Sequence, residues 1–440
     1  MLSLKDSSSS LCFNFESIDN LEDHVIHTWV GLNKVQSNQI FNEVTPLTEV
    51  PRGSVALATY LIKLRTGDSN DRLSSLLKVL RRTLEKWLKE IQHLLTEYFV
   101  PKQLSLNHIN RQEIKERNLS IPNALFGDFE GENRPVVIFD GIYCYIEKIS
   151  NYLYQKRTYN LHKYRNLVKP FIIACTDEYI IDVLGPYPAT ISYADIMRKE
   201  FSDGSPLREY FMQGDAFILD RGFRDSLPIL NQCGYRIYVP ASLREGETQL
   251  STSEAKNSRA VTICHWVVEV VNGRFKRDFK LLRQNYSNTT AKKFMLDFEV
   301  AAALLNAFHP PIVDRVDAGE IIQQINMFMN TENELAHYII RNNYNKRRAD
   351  FQTISIQNDN LNDFPQLTYS ELKLISLALA AAENLFFNII VIVSIVGKRT
   401  VGCYAHIMSI IWYLSWARYQ DNIVPPAQIL DDILIIIEDD

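Results

Sequence analysis

The apolar run at residues 136–139, VVIF, ends abruptly in an acid and a glycine, Asp140-Gly141. A short block of β-branched and aromatic residues predicts a buried strand. The pattern recurs at residues 216–219, AFIL, which run into Asp220 with Gly222 close behind. Further strand-like runs lie at 171–176 and 180–183, around the turn Asp177-Glu178, and at 235–239, ending at Pro240. Between 260 and 276 the pattern becomes compatible with a helix and carries Glu269 among Val267, Val268, Val270 and Val271. An acid at a strand tip beside a glycine lies where α/β sheets place their ligands. Taken alone it also reads as the cap of a turn.

Upstream the spacing is helical. Val55, Leu57, Leu61, Ile62 and Leu64 form one apolar face that stops at Thr66-Gly67. Asp68 or Ser69 can cap a short helix through Leu73, Leu76 and Leu77. After a turn at Lys78-Val79, a longer helix runs to about Tyr98, with Leu80, Leu84, Trp87, Leu88, Ile91 and Leu95 on one side and Pro101 closing it. Three helices with short turns, the last bearing Arg81, Arg82, Lys86 and Lys89, fit a helix-turn-helix unit that meets DNA phosphates or base edges. A plain helical bundle with a solvated charged face fits them equally well.

Residues 14–50 read as a helical lead-in with Trp29, Leu32 and Phe41 available for packing, and residues 102–133 as a polar connector marking a boundary. Beyond 313, residues 321–329 and 332–341 are helix-like and 342–365 are polar. The run 374–396 is long and apolar enough to raise the question of a membrane span. Glu383, Asn384 and Asn388 near its middle would be costly in lipid, so no membrane association is expected.

Composition changes this picture little. A chain of 440 residues that is 46% hydrophobic can hold two or three domains. A net charge of -5 does not announce a nucleic-acid binder, although binding needs only a local basic face. The six cysteines are scattered without a CxxC pair, which suits a reducing compartment, and the N-terminus shows no basic-then-apolar signal peptide.

Two aspartates at neighbouring strand ends and a glutamate on a facing helix suit phosphodiester cleavage. That reaction needs charge neutralised on the attacking and leaving oxygens, which two Mg2+ ions (or Mn2+) about 3.5–4 Å apart accomplish. Hard cations take a few carboxylates and keep several waters. In such a site Asp140 bridges both ions, Asp220 holds one and Glu269 the other. Asp215, Asp225, Glu147 and Asp177 are rivals that spacing alone does not exclude. Arg259 and Arg274, on the same helix as Glu269, read either as surface salt-bridge partners or as DNA-phosphate contacts.

DGIYCYIEK, TYNLHKYRNLVKPF, IIDVLGPY, LDRGFRDS and SRAVTICHWVVEVVNGRFK, in that order, resemble the DDE superfamily endonuclease domain of transposon-derived proteins related to the Harbinger-type transposases. The resemblance covers roughly residues 136–310. It implies an RNase H-like α/β fold, a mixed five-stranded sheet flanked by helices, with a catalytic triad of Asp140, Asp220 and Glu269. LIKLRTGDSN and FVPKQLSLNHINR look like the helix-turn-helix preceding this domain in the family, with Lys78-Val79 at a turn where relatives carry glycine. Near the C-terminus, GKRTVGCYAHIMSIIWYLSWARYQ resembles the closing half of a SWIM-type zinc finger through Cys403 and His406. Its first ligand pair would fall near Ile392 and Ser394, so a four-donor Zn2+ site is half built.

The expected organisation is a helical lead-in (1–50), a helix-turn-helix region (51–120), the endonuclease domain (134–312), a helical and polar connector (313–366) and a small, mostly helical finger-derived region (367–440). The expected activity is metal-dependent cleavage of double-stranded DNA in the nucleus, transposon terminal repeats included. Strand transfer by the freed 3′-OH and a homo-oligomeric state are compatible with it. Two alternatives stand beside it: a catalytically inactive, transposon-derived DNA-binding protein, and a membrane-tethered protein using 374–396.

Overall fold

A computed structural model describes residues 22–332 except 130, 149, 246, 248, 249 and 288–290, and only scattered positions beyond 332. Contacts divide the chain into one unit, Met1–Asn330, and a second, Thr331–Asp440. The expectations for Cys403, His406 and the run 374–396 lie outside the described residues. Among the described residues, no helix is long and apolar enough to cross a membrane.

The first unit is built on a mixed sheet whose strands are β1 (Val136–Gly141), β2 (Cys144–Tyr145), β3 (Tyr159–Asn160), β4 (Arg165–Cys175), β5 (Ile180–Pro188), β6 (Ala216–Ile218) and β7 (Arg236–Tyr238). β5, β4 and β1 run antiparallel to their neighbours, and β1, β6 and β7 are parallel. The sheet therefore has seven strands, not the expected five. The two extra ones, β2 and β3, are two residues long and pair with β4, too short to leave a periodic signal in the sequence.

Alternation along β1 decides which helix each side chain meets. Val136 and Ile138, with Ala216 and Ile218 of β6, pack against Ala260, Val261, Cys264, Val267 and Val268. Those residues belong to the long helix Thr252–Asp278. Val137, Phe139 and Phe217 point the other way, into an aromatic cluster with Phe171, Phe201, Phe211 and Phe223. Phe139 and Phe217 meet edge to face at 4.8 Å. All four residues before Asp140 are completely buried, each contributing roughly 1.5–3 kcal/mol by leaving water. The strand is thus fixed on both faces, and Asp140 inherits the parity of Val136 and Ile138.

Upstream lie α1 (Asp23–Val30), α2 (Lys34–Glu43), α3 (Gly53–Thr66), α4 (Asn70–Leu77) and α5 (Arg81–Leu94). Asn33 caps α2 with a full capping box, and Ser69 caps α4 through a bond from Arg72 N. Leu84, Trp87 and Ile91 of α5 are buried as their spacing predicts, whereas Leu80 is exposed because it precedes the first turn. α3 is buried almost throughout, and its core is continuous with that of β4 and of the later helix Phe294–Phe308. The helical region and this face of the sheet therefore share one core.

Lys78, in the turn between α4 and α5, has φ +50, the left-handed conformation that ends α4. A side chain there costs about 1 kcal/mol relative to a residue without Cβ. Lys78→Gly is expected to raise stability by about 0.5–1 kcal/mol in urea denaturation, and a loss of stability would contradict this reading of the turn.

Candidate active site

β1 and β6 are parallel, with Val136 opposite Ala216 and Ile138 opposite Ile218. Each of these pairs is separated by 80 residues, and so are Asp140 and Asp220. Continuing the register sets the two aspartates level at the same end of adjacent strands, which run about 4.8 Å apart. The face of β1 that carries Asp140 meets α7 (Thr252–Asp278), and the opposite face meets α6 (Tyr193–Glu200). Asn272 of α7 donates from Nδ2 to Asp140 Oδ2 at 3.0 Å.

The buried stripe of α7 is Val261, Cys264, Val268, Val271 and Phe275. Beside it, His265, Glu269 and Asn272 recur at i, i+4 and i+7, so they share one face. Burial is the largest influence on Asp140 and pushes its carboxyl up to about 7. The Asn272 bond and the Gly141 backbone work against that rise, while the charges of Glu269 and Asp220 add to it. The same two carboxylates act on His265, whose pKa is lowered chiefly by its own burial. Asp140 and His265 thus each lie within electrostatic reach of Asp220 and Glu269. Glu269 and Asp220 are exposed, although the valines around Glu269 argued against a fully solvated position.

Asp220 caps the short helix Arg221–Ser226, accepting from Arg221 N at 2.6 Å. The glycine after each aspartate makes room for one ring. Tyr193 donates its hydroxyl to Gly141 O at 3.0 Å, and a Cβ on Gly141 would fall 2.1 Å from a ring carbon of Tyr193. A Cβ on Gly222 would touch the same ring at 3.4 Å. Tyr193 also stacks on Phe223, with centroids 5.3 Å apart. Burial and the hydroxyl of Tyr143 hold its phenol well above the usual range. Gly141→Ala is expected to displace Tyr193 or the end of β1, costing about 1–3 kcal/mol in thermal or urea unfolding. A variant as stable as the parent would contradict the close approach.

The rival acids have other partners. Asp215 precedes β6, so it lies at the opposite strand end from Asp220; it is fully buried against Arg111 and accepts from Met212 N at 2.8 Å. Asp177 pairs with Arg117 at 2.7 Å in the β4–β5 turn. Asp225 is exposed beside Arg224. The Glu147 backbone N–H donates to Tyr286 O at 2.9 Å. Of the cations singled out from sequence, Arg82, Lys86 and Lys89 are exposed on α5, and Arg81 is tied to Asp71 and Glu85. Arg259 is half-buried on α7. Arg274 is mostly buried, paired with Glu178 and donating to Pro310 O at 3.2 Å.

Sequence reasoning passed over His265 and Asn272. Their spacing from Glu269, one helical turn on each side, was the signal available. Asn272 Oδ1 and His265 Nε2 are buried atoms without a hydrogen-bond partner. Together with three carboxylates they form a donor set whose chemistry suits a hard divalent cation. Among the described residues, however, no group of three or more His, Cys, Asp or Glu side chains is already arranged to hold a metal ion.

Residues 139–306 match the family model described as DDE superfamily endonuclease. The match begins one residue before Asp140 and contains Asp220, Glu269, His265 and Asn272. It supports a transposase- or nuclease-like function for this part of the chain, with DNA as the substrate class and divalent metals as the family's usual cofactors. No curated protein and no solved structure matches the chain.

Proposed function

We propose that this protein is a metal-dependent DNA endonuclease with transposase-like chemistry, whose RNase H-like core carries Asp140, Asp220 and Glu269 as the catalytic carboxylates. The observation that carries the reading is the parallel register of β1 and β6. Continued two residues past Ile138 and Ile218, that register supports a shared site for the two aspartates beside the helix that bears Glu269. The residues that would hold Mg2+ or Mn2+ are these three carboxylates, with Asn272 fixing the orientation of Asp140 through its amide. When bound, such ions supply charge neutralisation at the attacking and leaving oxygens of the phosphodiester.

On the protein side, the packed β1 strand fixes Asp140 on a rigid element. Tyr193, wedged beside Gly141 and Gly222, sets the spacing of the two strand ends. Arg82, Lys86 and Lys89 present an exposed cationic face on α5 for phosphates, in a helix-turn-helix role, with Arg81 braced by Asp71 and Glu85. Arg259 and Arg274 lie on α7, the helix that bears Glu269. The Glu178 partner of Arg274 makes it the weakest of the six as a DNA contact. Double-stranded DNA such as transposon terminal repeats, strand transfer, a nuclear location and a homo-oligomeric assembly belong to the same proposal, as does a residual Zn2+ role for Cys403 and His406.

The test is nicking of supercoiled plasmid by the full chain. Open circles are expected with Mg2+ or Mn2+ and none with a chelator. An uncut plasmid, with or without terminal-repeat sequence, would overturn the reading. The second reading, an inactive transposon-derived DNA-binding protein, draws on the half-built zinc finger, of which Cys403 and His406 stand without a first ligand pair at Ile392 and Ser394. It expects salt-dependent DNA binding without cleavage.

A further inference from the structure

Beyond the Asp140 end of the sheet the chain makes an excursion whose composition departs from the rest. Residues 148–176 contain no Asp or Glu, although the chain as a whole has net charge -5. Lys156, Arg157 and Lys163 are exposed on this excursion, and among them stand two tyrosines whose surface is mostly in water, Tyr152 at 72% and Tyr164 at 77%. Leu161 is 74% exposed beside them. Large apolar and aromatic side chains standing in water between cations that have no carboxylate partner among the described residues call for an occupant that offers negative charge and flat apolar faces together.

The excursion is a built element. It consists of the helix Tyr152–Thr158, β3 and a tight turn into β4. Asn166 Nδ2 ties its base by donating to Thr158 Oγ1 at 2.9 Å and to Gln155 O at 3.1 Å. At the tip, Asn160 Oδ1 accepts from His162 N and Lys163 N at 3.0 and 2.9 Å, shaping the turn that presents Tyr164. Tyr164 takes φ +53, which the flanking strand pairing of Tyr159 with Asn166 and Asn160 with Arg165 imposes.

Register places this element relative to the carboxylates. Ile172 of β4 pairs with Asp140, and β4 extends from there to Arg165 on the Asp140 side. Those seven residues span roughly 23 Å at about 3.3 Å each. The tip therefore stands about seven base steps of duplex DNA from the level of Asp140, at about 3.4 Å per step. Inward from the tip, Arg165 lies over the Tyr145 ring at 4.2 Å, and the mostly buried Lys169 lies over the Tyr193 ring at 5.0 Å. The cationic and aromatic character thus continues from the tip to the residues that frame the candidate site.

We infer that the 152–165 excursion is a binding surface for unpaired DNA flanking the cleavage position, with Tyr152 and Tyr164 stacking on bases and Lys156, Arg157 and Lys163 on the phosphates. Duplex DNA supplies the phosphates but hides its base faces, so it leaves the tyrosines unused. A single strand offers both. The inference rests on the endonuclease reading for its substrate class, and binding can be measured independently of cleavage.

The experiment uses the full chain in EDTA, titrated into fluorescently labelled forked DNA with single-stranded arms and into a blunt duplex of the same length. Tyr152→Ala/Tyr164→Ala is expected to weaken fork binding about tenfold or more, with blunt-duplex binding unchanged. Lys156→Gln/Arg157→Gln/Lys163→Gln is expected to lower the salt slope on the single strand by about two, since each phosphate contact contributes about 0.7. All five positions are exposed, so both variants should melt with the parent. Fork binding by the tyrosine variant equal to that of the parent would overturn the inference. So would a parent that binds phosphatidylserine vesicles through these residues while its DNA binding ignores them. Because no step requires metal, a protein that binds forks in this way but never nicks plasmid would count against the endonuclease reading and leave the surface standing.

Discussion

Asp140→Asn should abolish plasmid nicking, by about a thousandfold or more, while leaving the fold as stable as the parent or slightly more so. The loss follows from the proposed role of Asp140, at the end of the central strand and bonded to Asn272 of the helix that bears Glu269. Removing one carboxylate from a shared cation site takes away several kcal/mol of charge stabilisation, and a thousandfold corresponds to about 4 kcal/mol. The retained stability follows from burial. Asp140 is a largely desolvated acid pushed up to about 7, and its one side-chain donor, Asn272, can give the same bond to an asparagine oxygen. Nicking assays paired with urea denaturation at pH 8 read both halves. A variant that still cuts at a tenth of the parental rate would remove Asp140 from the reaction. A variant that fails to fold would show that the acid is a structural group.

The largest effect on stability is expected at Asp297, far from the carboxylates. It sits on the helix Phe294–Phe308, fully buried, and accepts from Tyr60 Oη at 2.6 Å, Gln92 Nε2 at 2.5 Å and Tyr286 Oη at 2.6 Å. Tyr60 belongs to α3 and Gln92 to α5, so this acceptor ties these two helices of the N-terminal region to the helix that follows the sheet. Burial raises its pKa, and the three donors together with Lys63 oppose that rise. Asp297→Ala would remove an acceptor that three buried donors share, so a cost of about 3–5 kcal/mol is expected once the site relaxes. Urea denaturation gives the figure directly. Asp297→Asn, which keeps an acceptor, should cost clearly less. A change below about 1 kcal/mol for the alanine variant would mean that hydrophobic packing alone holds α3 and α5 in place.

Much of the sheet was legible because buried strands write themselves as apolar runs, and the runs at 136–139 and 216–219 each end in the acid that matters. The helices α3, α4 and α5 were legible from spacing, from the Ser69 cap and from Thr66-Gly67. Other features depend on partners distant in sequence. Tyr193 reaches Gly141 across 52 residues, so no local pattern marks it. The Arg274–Glu178 pair likewise joins a helix to a turn that lies far upstream. β2 and β3 exist only because β4 extends past β1 and offers them an edge. His265 and Asn272 were within reach of sequence reasoning, since both share a helix face with Glu269. They were passed over because neither residue type is an acid, although one holds Asp140 and both carry an unpaired buried atom.

The central claim is that Asp140, Asp220 and Glu269 form one cation-holding site on DNA. Anomalous diffraction from crystals of the full chain with DNA and Mn2+ addresses it most directly. The account predicts a manganese peak among these three carboxylates, lost in Asp140→Asn. Manganese absent from that position at saturating concentration, or bound there equally well without Asp140, would contradict it.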